Sequence, residues 1–92
     1  MKKLVFEKIK DINSLMGKTL DYIRNYADSN YYYKLDRPYN YSFKDRTIEN
    51  PVIADYFCFR LYEYNYYNKI IKEYDLIFNN ACICINIIEL SA

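Results

Sequence analysis

Residues 78–88 read Phe78-Asn79-Asn80-Ala81-Cys82-Ile83-Cys84-Ile85-Asn86-Ile87-Ile88, and two folds compete for them. Phe78, Ala81, Ile85 and Ile88 are three or four residues apart, the spacing of one helix face. The run from Ala81 to Ile88 is also rich in β-branched side chains, which suit a strand, and Asn79-Asn80 would supply the turn before it. Upstream, the same spacing extends without a phase change through Ile53, Phe57, Tyr64, Tyr67, Ile71 and Tyr74, with steps alternating between three and four from Tyr64 onward. The longer pattern therefore favours one helix to about Leu90, with a short strand over 81–88 as the alternative.

Working upstream, Asn50-Pro51 is the clearest punctuation in the chain. Asn is a favoured helix cap, and Pro is favoured at the first helical position, where its missing N–H would be unpaired anyway. This second helix carries a further apolar row through Tyr56, Phe59, Tyr66, Ile70, Ile77, Ile83 and Ile87. One partner helix covers one side only. Tyr56, Phe59, Tyr66, Ile70 and Ile77 are accordingly the expected self-interface of a homodimer.

The N-terminal stretch shows a comparable stripe at Val5, Ile9, Ile12, Met16, Thr19, Ile23 and Tyr26, which predicts a first helix over 4–27. Gly17 costs such a helix about 1 kcal/mol relative to Ala, and Asp28-Ser29-Asn30 reads as the stop. Residues 29–50 keep no period, and Pro38 biases Arg37 away from helix. The expected fold is all-α: a single domain over 1–92, in which two long helices form a hairpin bridged by a Tyr-rich connecting loop.

Composition limits the chemistry. The 92 residues allow one domain. There is no histidine, which removes the usual general base near neutral pH and the usual zinc ligand. Gly17 is the sole glycine, so no glycine-rich phosphate loop exists. Cys58, Cys82 and Cys84 sit among apolar residues, and Cys82-x-Cys84 lacks the spacing of a zinc pair. They read as reduced, core-packing thiols, and neither metal nor cofactor is expected. Asp55, Glu63, Glu73 and Asp75 look like a solvated helix face. The chain reads as a protein without catalytic activity.

Charge is nearly balanced, 13 Lys+Arg against 12 Asp+Glu. That balance makes direct nucleic-acid binding possible in principle but not favoured. No run approaches the roughly 20 apolar residues of a membrane span. After Met1-Lys2-Lys3-Leu4-Val5-Phe6, charged residues interrupt any secretory leader, so a cytoplasmic location in a bacterial host is expected. The remaining signal is aromatic: 13 tyrosines, several interleaved with cations in the central segment. Tyr and Arg carry much of the binding energy at protein interfaces. Tyr31, Tyr32, Tyr33, Arg37, Tyr39, Tyr41 and Arg46 are the expected partner contacts.

The run Lys8-Ile9-Lys10-Asp11-Ile12-Asn13-Ser14-Leu15-Met16-Gly17-Lys18-Thr19-Leu20-Asp21-Tyr22-Ile23-Arg24 resembles the opening helix of phage transcriptional activators of the RinA/ArpU kind, and Asn50 to Asn79 is similar to their second long helix. The resemblance implies a helical hairpin. The family's DNA-reading helix-turn-helix has no counterpart in these residues, which points to protein contacts. Small size, missing catalytic chemistry and AT-rich residue usage add an analogy: a phage or mobile-element inhibitor docking on a bacterial defence machine such as a CRISPR nuclease complex (anti-CRISPR-like). The alternative is a phage transcription regulator, or a truncated antagonist, acting on RNA polymerase or a relative.

Overall fold

The computed structural model describes residues 4–37 and 56–90, and it overturns the all-α hairpin. A 3-10 turn at Ile12–Leu15 and one helix, α1 at Leu20–Asp28, precede four strands. These are β1 (Tyr33–Asp36), β2 (Phe57–Tyr64), β3 (Ile70–Phe78) and β4 (Cys84–Leu90). They form one antiparallel sheet in the order β1-β2-β3-β4, so each strand pairs with its sequence neighbour.

The expected second helix is β2, β3 and β4, and its two apolar rows are redistributed between the two faces of the sheet. Along β2, Phe57, Phe59, Leu61 and Glu63 share one face, opposite Phe78, Leu76, Tyr74 and Lys72 of β3. Cys58, Arg60 and Tyr62 share the other, opposite Ile77, Asp75 and Glu73. Successive side chains of a strand alternate faces, so two apolar faces fill nearly every position. A helical spacing can then be threaded through the run although the chain is extended. The β-branched and aromatic composition was the physical signal that carried, because such side chains pack well on a pleated surface.

Asparagines make the breaks that the helical reading passed through. In both connections an Asn side chain takes over backbone amides, the local competition that turns a chain away from helix. The strand alternative for 81–88 was correct in kind but not in its bounds: Ala81 and Cys82 belong to the turn, Ile83 forms a bridge and Cys84–Leu90 is β4.

The first helix is likewise shorter than its stripe. Gly17 adopts φ of 80°, a left-handed conformation that glycine reaches without steric cost, and the helix starts only after it. The Thr19 hydroxyl accepts from the Tyr22 amide at 3.1 Å and caps α1. Before it, the backbone is bonded to β4: Gly17 N–H to the Cys84 carbonyl at 2.8 Å, and Cys84 N–H to the Lys18 carbonyl at 2.9 Å. Of the predicted stripe only Ile23 and Tyr26 lie in the helix, while Val5 and Met16 are exposed. The expected stop holds, since α1 ends at Asp28. The two long helices through which the phage-activator resemblance was drawn are therefore not present in the described residues, and the expected helical character gives way to a sheet. Residues 51–55, the expected start of the second helix, lie outside the described residues.

The core lies between α1 and one face of the sheet. Leu15, Leu20, Ile23 and Ala27 pack with Tyr33, Leu61, Tyr74, Leu76, Phe78 and Cys84. Phe57 stacks on Phe78 with centroids 5.5 Å apart, and Phe59 meets Phe78 edge-on at 6.0 Å. On the opposite face the Arg60 guanidinium donates to both Asp75 oxygens, at 2.8 and 3.3 Å, across the β2–β3 pairing. No helix among the described residues is long and apolar enough to cross a membrane.

Candidate docking surface

At one end of the sheet three chain-distant segments converge on an aromatic platform. The first is the N-terminal strap. Val5 donates to the Ser29 carbonyl at 2.8 Å and accepts from the Tyr31 amide at 2.9 Å, which lays the strap beside the exit from α1. This places the Phe6 ring on Tyr31, stacked with centroids 4.8 Å apart, and edge-on to Tyr32 at 6.3 Å. The second segment is Tyr31-Tyr32 itself, whose rings meet edge-on at 5.2 Å. The third is the β2–β3 turn, where Tyr66 lies 6.2 Å from Tyr31 and 5.8 Å from Tyr67. The Tyr31 hydroxyl donates to the Tyr66 carbonyl at 3.0 Å and ties the second segment to the third.

Asn30 organises this junction. It is 4% exposed, and its amide nitrogen donates to the Glu7 carbonyl at 2.8 Å and to the Tyr26 hydroxyl at 3.3 Å. Its amide oxygen accepts from the Tyr32 N–H at 2.8 Å. One buried side chain thus bonds the strap, α1 and the tyrosine pair, with each of its two ends used.

A second anchor holds the strap from below. Lys8 lies 3.5 Å from Glu63 and 5.0 Å from the Tyr32 ring centroid. Glu63 also accepts from the Tyr33 hydroxyl at 3.4 Å, while that hydroxyl accepts from the Ile9 N–H at 2.9 Å. Burial pushes the Tyr33 phenol well above its ordinary range, with the Ile9 N–H opposing and the Glu63 charge adding to the rise. This cluster shares a depression of roughly 250 Å³ with Lys10, Asp11, Lys72 and Glu89, so both acids and bases line it.

The exposed rings are not a by-product of turn geometry, because the β3–β4 turn is wired the same way without them. In the first, Asn65 Oδ1 accepts from the Tyr67 and Lys69 amides, Asn65 N–H donates to the Lys69 carbonyl, and Asn68 adopts φ of 65°. In the second, Asn79 Oδ1 accepts from the Ala81 and Ile83 amides, Asn79 N–H donates to the Ile83 carbonyl, and Cys82 adopts φ of 62°. At the two central positions one turn carries Tyr66 and Tyr67, which are 66% and 79% exposed, and the other carries Asn80 and Ala81.

Of the sequence-based contacts, the structure brings Tyr31 and Tyr32 into the platform. Tyr33 lies in the core at 5% exposure. Arg37 sits elsewhere, its guanidinium carbon 5.7 Å from the Phe59 ring centroid, with Arg24 at 5.6 Å from the same ring. Tyr39, Tyr41 and Arg46 lie outside the described residues. The five residues expected to form a self-interface do not make one row. Phe59 faces the core, Ile77 is buried on the opposite face, Tyr66 belongs to the platform, and Tyr56 and Ile70 are exposed at strand ends. Phe6, Tyr67 and Asn30 escaped the sequence reading. The flanking Asn65 and Asn68 were the signal that Tyr66-Tyr67 occupies a turn.

Among the described residues no group of three or more His, Cys, Asp or Glu stands close enough to hold a metal ion. No protein-family model, curated protein or solved structure matches the chain.

Proposed function

We propose that the chain is a non-catalytic binding protein that docks on a larger protein or ribonucleoprotein partner through the platform of Phe6, Tyr31, Tyr32, Tyr66 and Tyr67. The observation that carries this reading is the pair of matched turns: the same backbone wiring displays two tyrosines to solvent in one and none in the other. Contiguous exposed apolar patches mark interaction sites, and Tyr is among the residues enriched in the hot spots of protein interfaces. Tyr contributes a large contact area with few rotatable bonds, so little entropy is lost when it is immobilised. The platform is also preorganised, since Asn30 and the Tyr31 hydroxyl fix its parts before any partner arrives.

The test is capture by the immobilised full chain, compared with Tyr66→Ala/Tyr67→Ala, from a lysate of the organism that carries it. Loss of at least ~10-fold in recovery of one defined complex, with the circular dichroism spectrum unchanged, is the expected result for two interface anchors. Equal recovery by both proteins would sink the proposal. The identity of the captured complex then separates a nuclease assembly from an RNA polymerase.

A further inference from the structure

The two edges of the sheet are finished differently. β1 is four residues long, carries exposed Lys34 and Asp36, and lies against α1, the ordinary ways of blunting an edge. β4 closes the other side. Its run Ile85-Asn86-Ile87-Ile88-Glu89-Leu90 holds one charge and no proline, with Ile85 38% and Ile88 40% exposed. We propose that β4 pairs with β4 of a second copy, antiparallel and about a two-fold axis at Ile88. The pairing leaves Tyr31 and Tyr32, which precede β1 at the far edge, free on each copy, so it stands apart from the docking reading.

The bonds identify the open positions. Cys84 turns both backbone groups away from β3: its N–H donates to the Lys18 carbonyl at 2.9 Å, and its carbonyl accepts from Gly17 at 2.8 Å. Phe78 is opposite Cys84 while Ile77 is opposite Asn86, so a bulge adds one residue to β4 at that point. Beyond it the outward positions are therefore Ile87 and Glu89. The Ile87 N–H agrees, since it donates at 2.9 Å to the Asn86 side-chain oxygen in an exposed bond. Among the described residues no backbone group pairs with this edge beyond Cys84.

Three two-fold registers suit an edge whose outward residues are Ile87 and Glu89. An axis at Ile87 sets Leu90 of the second copy beside Cys84, where Gly17 and Lys18 already stand. An axis at Glu89 sets two carboxylates directly opposite each other, which destabilises the pair. An axis at Ile88 avoids both. It pairs Ile87 with Glu89 on either side of the axis, through backbone bonds, and Ile88 with Ile88. Ile88 lies opposite Asp75, on the face away from α1. Its self-pair is of the close-approach kind, with Cα atoms about 4.5 Å apart. The Ile87 N–H then exchanges its side-chain acceptor for the Glu89 carbonyl of the second copy. The edge is self-complementary, and a second copy is the occupant it fits.

The test is sedimentation of the reduced full chain from about 1 to about 300 µM, a range that brackets the affinity of a small, transient interface. A reversible dimer with a dissociation constant on the order of 10 µM is expected. Glu89→Pro removes an outward N–H and no bond to β3. It is expected to weaken the dimer at least ~10-fold with the circular dichroism spectrum unchanged. Oxidation reads the register in a Cys82→Asn background, which removes the exposed thiol. Ile88→Cys is expected to link to itself across the axis, because close-approach pairs fall within disulfide reach. Asn86→Cys faces Leu90 and is expected to stay unlinked. A monomer throughout the series, a dimer that survives in folded Glu89→Pro, or linking of Asn86→Cys ahead of Ile88→Cys would each overturn the proposal.

Discussion

The β2–β3 and β3–β4 turns of this protein are the same object used in two ways. Each begins with an Asn whose side chain accepts two backbone amides, and each ends with a non-glycine residue at positive φ. The β3–β4 turn is bonded to the rest of the fold: the Leu20 N–H donates to the Cys82 carbonyl at 2.8 Å, and β4 pairs with Gly17 and Lys18 just beyond. The β2–β3 turn makes one comparable link, the Tyr31 hydroxyl on the Tyr66 carbonyl, and otherwise presents its rings to water. Apolar area left exposed contributes nothing to folding. The difference teaches that one turn secures the N-terminal half of the chain to the sheet, whereas the other is free to carry a surface.

Removing the Asn acceptors probes that comparison most strongly. Asn79→Ala leaves the Ala81 and Ile83 amides without their partner, and the Ile83 bond is partly buried. A loss of about 1–2 kcal/mol in urea-unfolding stability is expected. Asn65→Ala removes two exposed bonds, so about 0.5–1 kcal/mol is expected there. Equal losses would mean that the two turns do not differ in their support.

The second probe is alkaline pH. Burial raises the phenols of Tyr33, Tyr26 and Tyr74 above their ordinary value of 10.0. The native state therefore holds these protons more tightly than the unfolded chain. The stability they confer is complete below about pH 10 and is lost as pH rises toward the native values. Urea midpoints measured from pH 7 to 11 are expected to be flat and then to fall, with a shallower fall in Tyr33→Phe. A fall equally steep in Tyr33→Phe would contradict the burial of that phenol, since the buried Cys84 thiol alone begins the decline near pH 9.

The smallest effect concerns the ends of the turns. Cys82 sits at φ of 62°, where Asn is tolerated better than Cys. Cys82→Asn is expected to stabilise the fold by about 0.5 kcal/mol, and Asn68→Cys to destabilise it by a similar amount. The same turn accounts for thiol reactivity. Cys82 is exposed, whereas Cys84 is buried with its thiol pushed up by that burial. Alkylation of the native protein followed by peptide mass analysis is expected to label Cys82 ahead of Cys84.

Part of this architecture was legible in the residues. Asp28-Ser29-Asn30 marks the end of α1, and the β-branched run after Asn79-Asn80 marks β4. The sheet as a whole was not, because hydrophobic residues make up 52% of the chain. Steps of three and four can be drawn through almost any run that apolar. In β2 the period of two is blurred by Arg60 and Tyr62, whose aliphatic and aromatic parts are half-buried on the second face. Tyr31 and Tyr32 were legible as contacts from residue type alone. Phe6 was not, since long-range contacts such as the Val5–Asn30 bridge and the Asn30 amide on the Glu7 carbonyl bring the strap to the tyrosine pair across 24 residues of intervening chain.

The most direct test exchanges the central residues of the two turns in one protein, as Tyr66→Asn, Tyr67→Ala, Asn80→Tyr and Ala81→Tyr. Composition, turn wiring and the positive-φ positions are all retained. The expected result is a thermal midpoint within about 4 °C of the parent, together with loss of partner capture. Capture at the parent level by a folded exchange variant would contradict the account, since the tyrosines would then act through their number and not through their place on the platform.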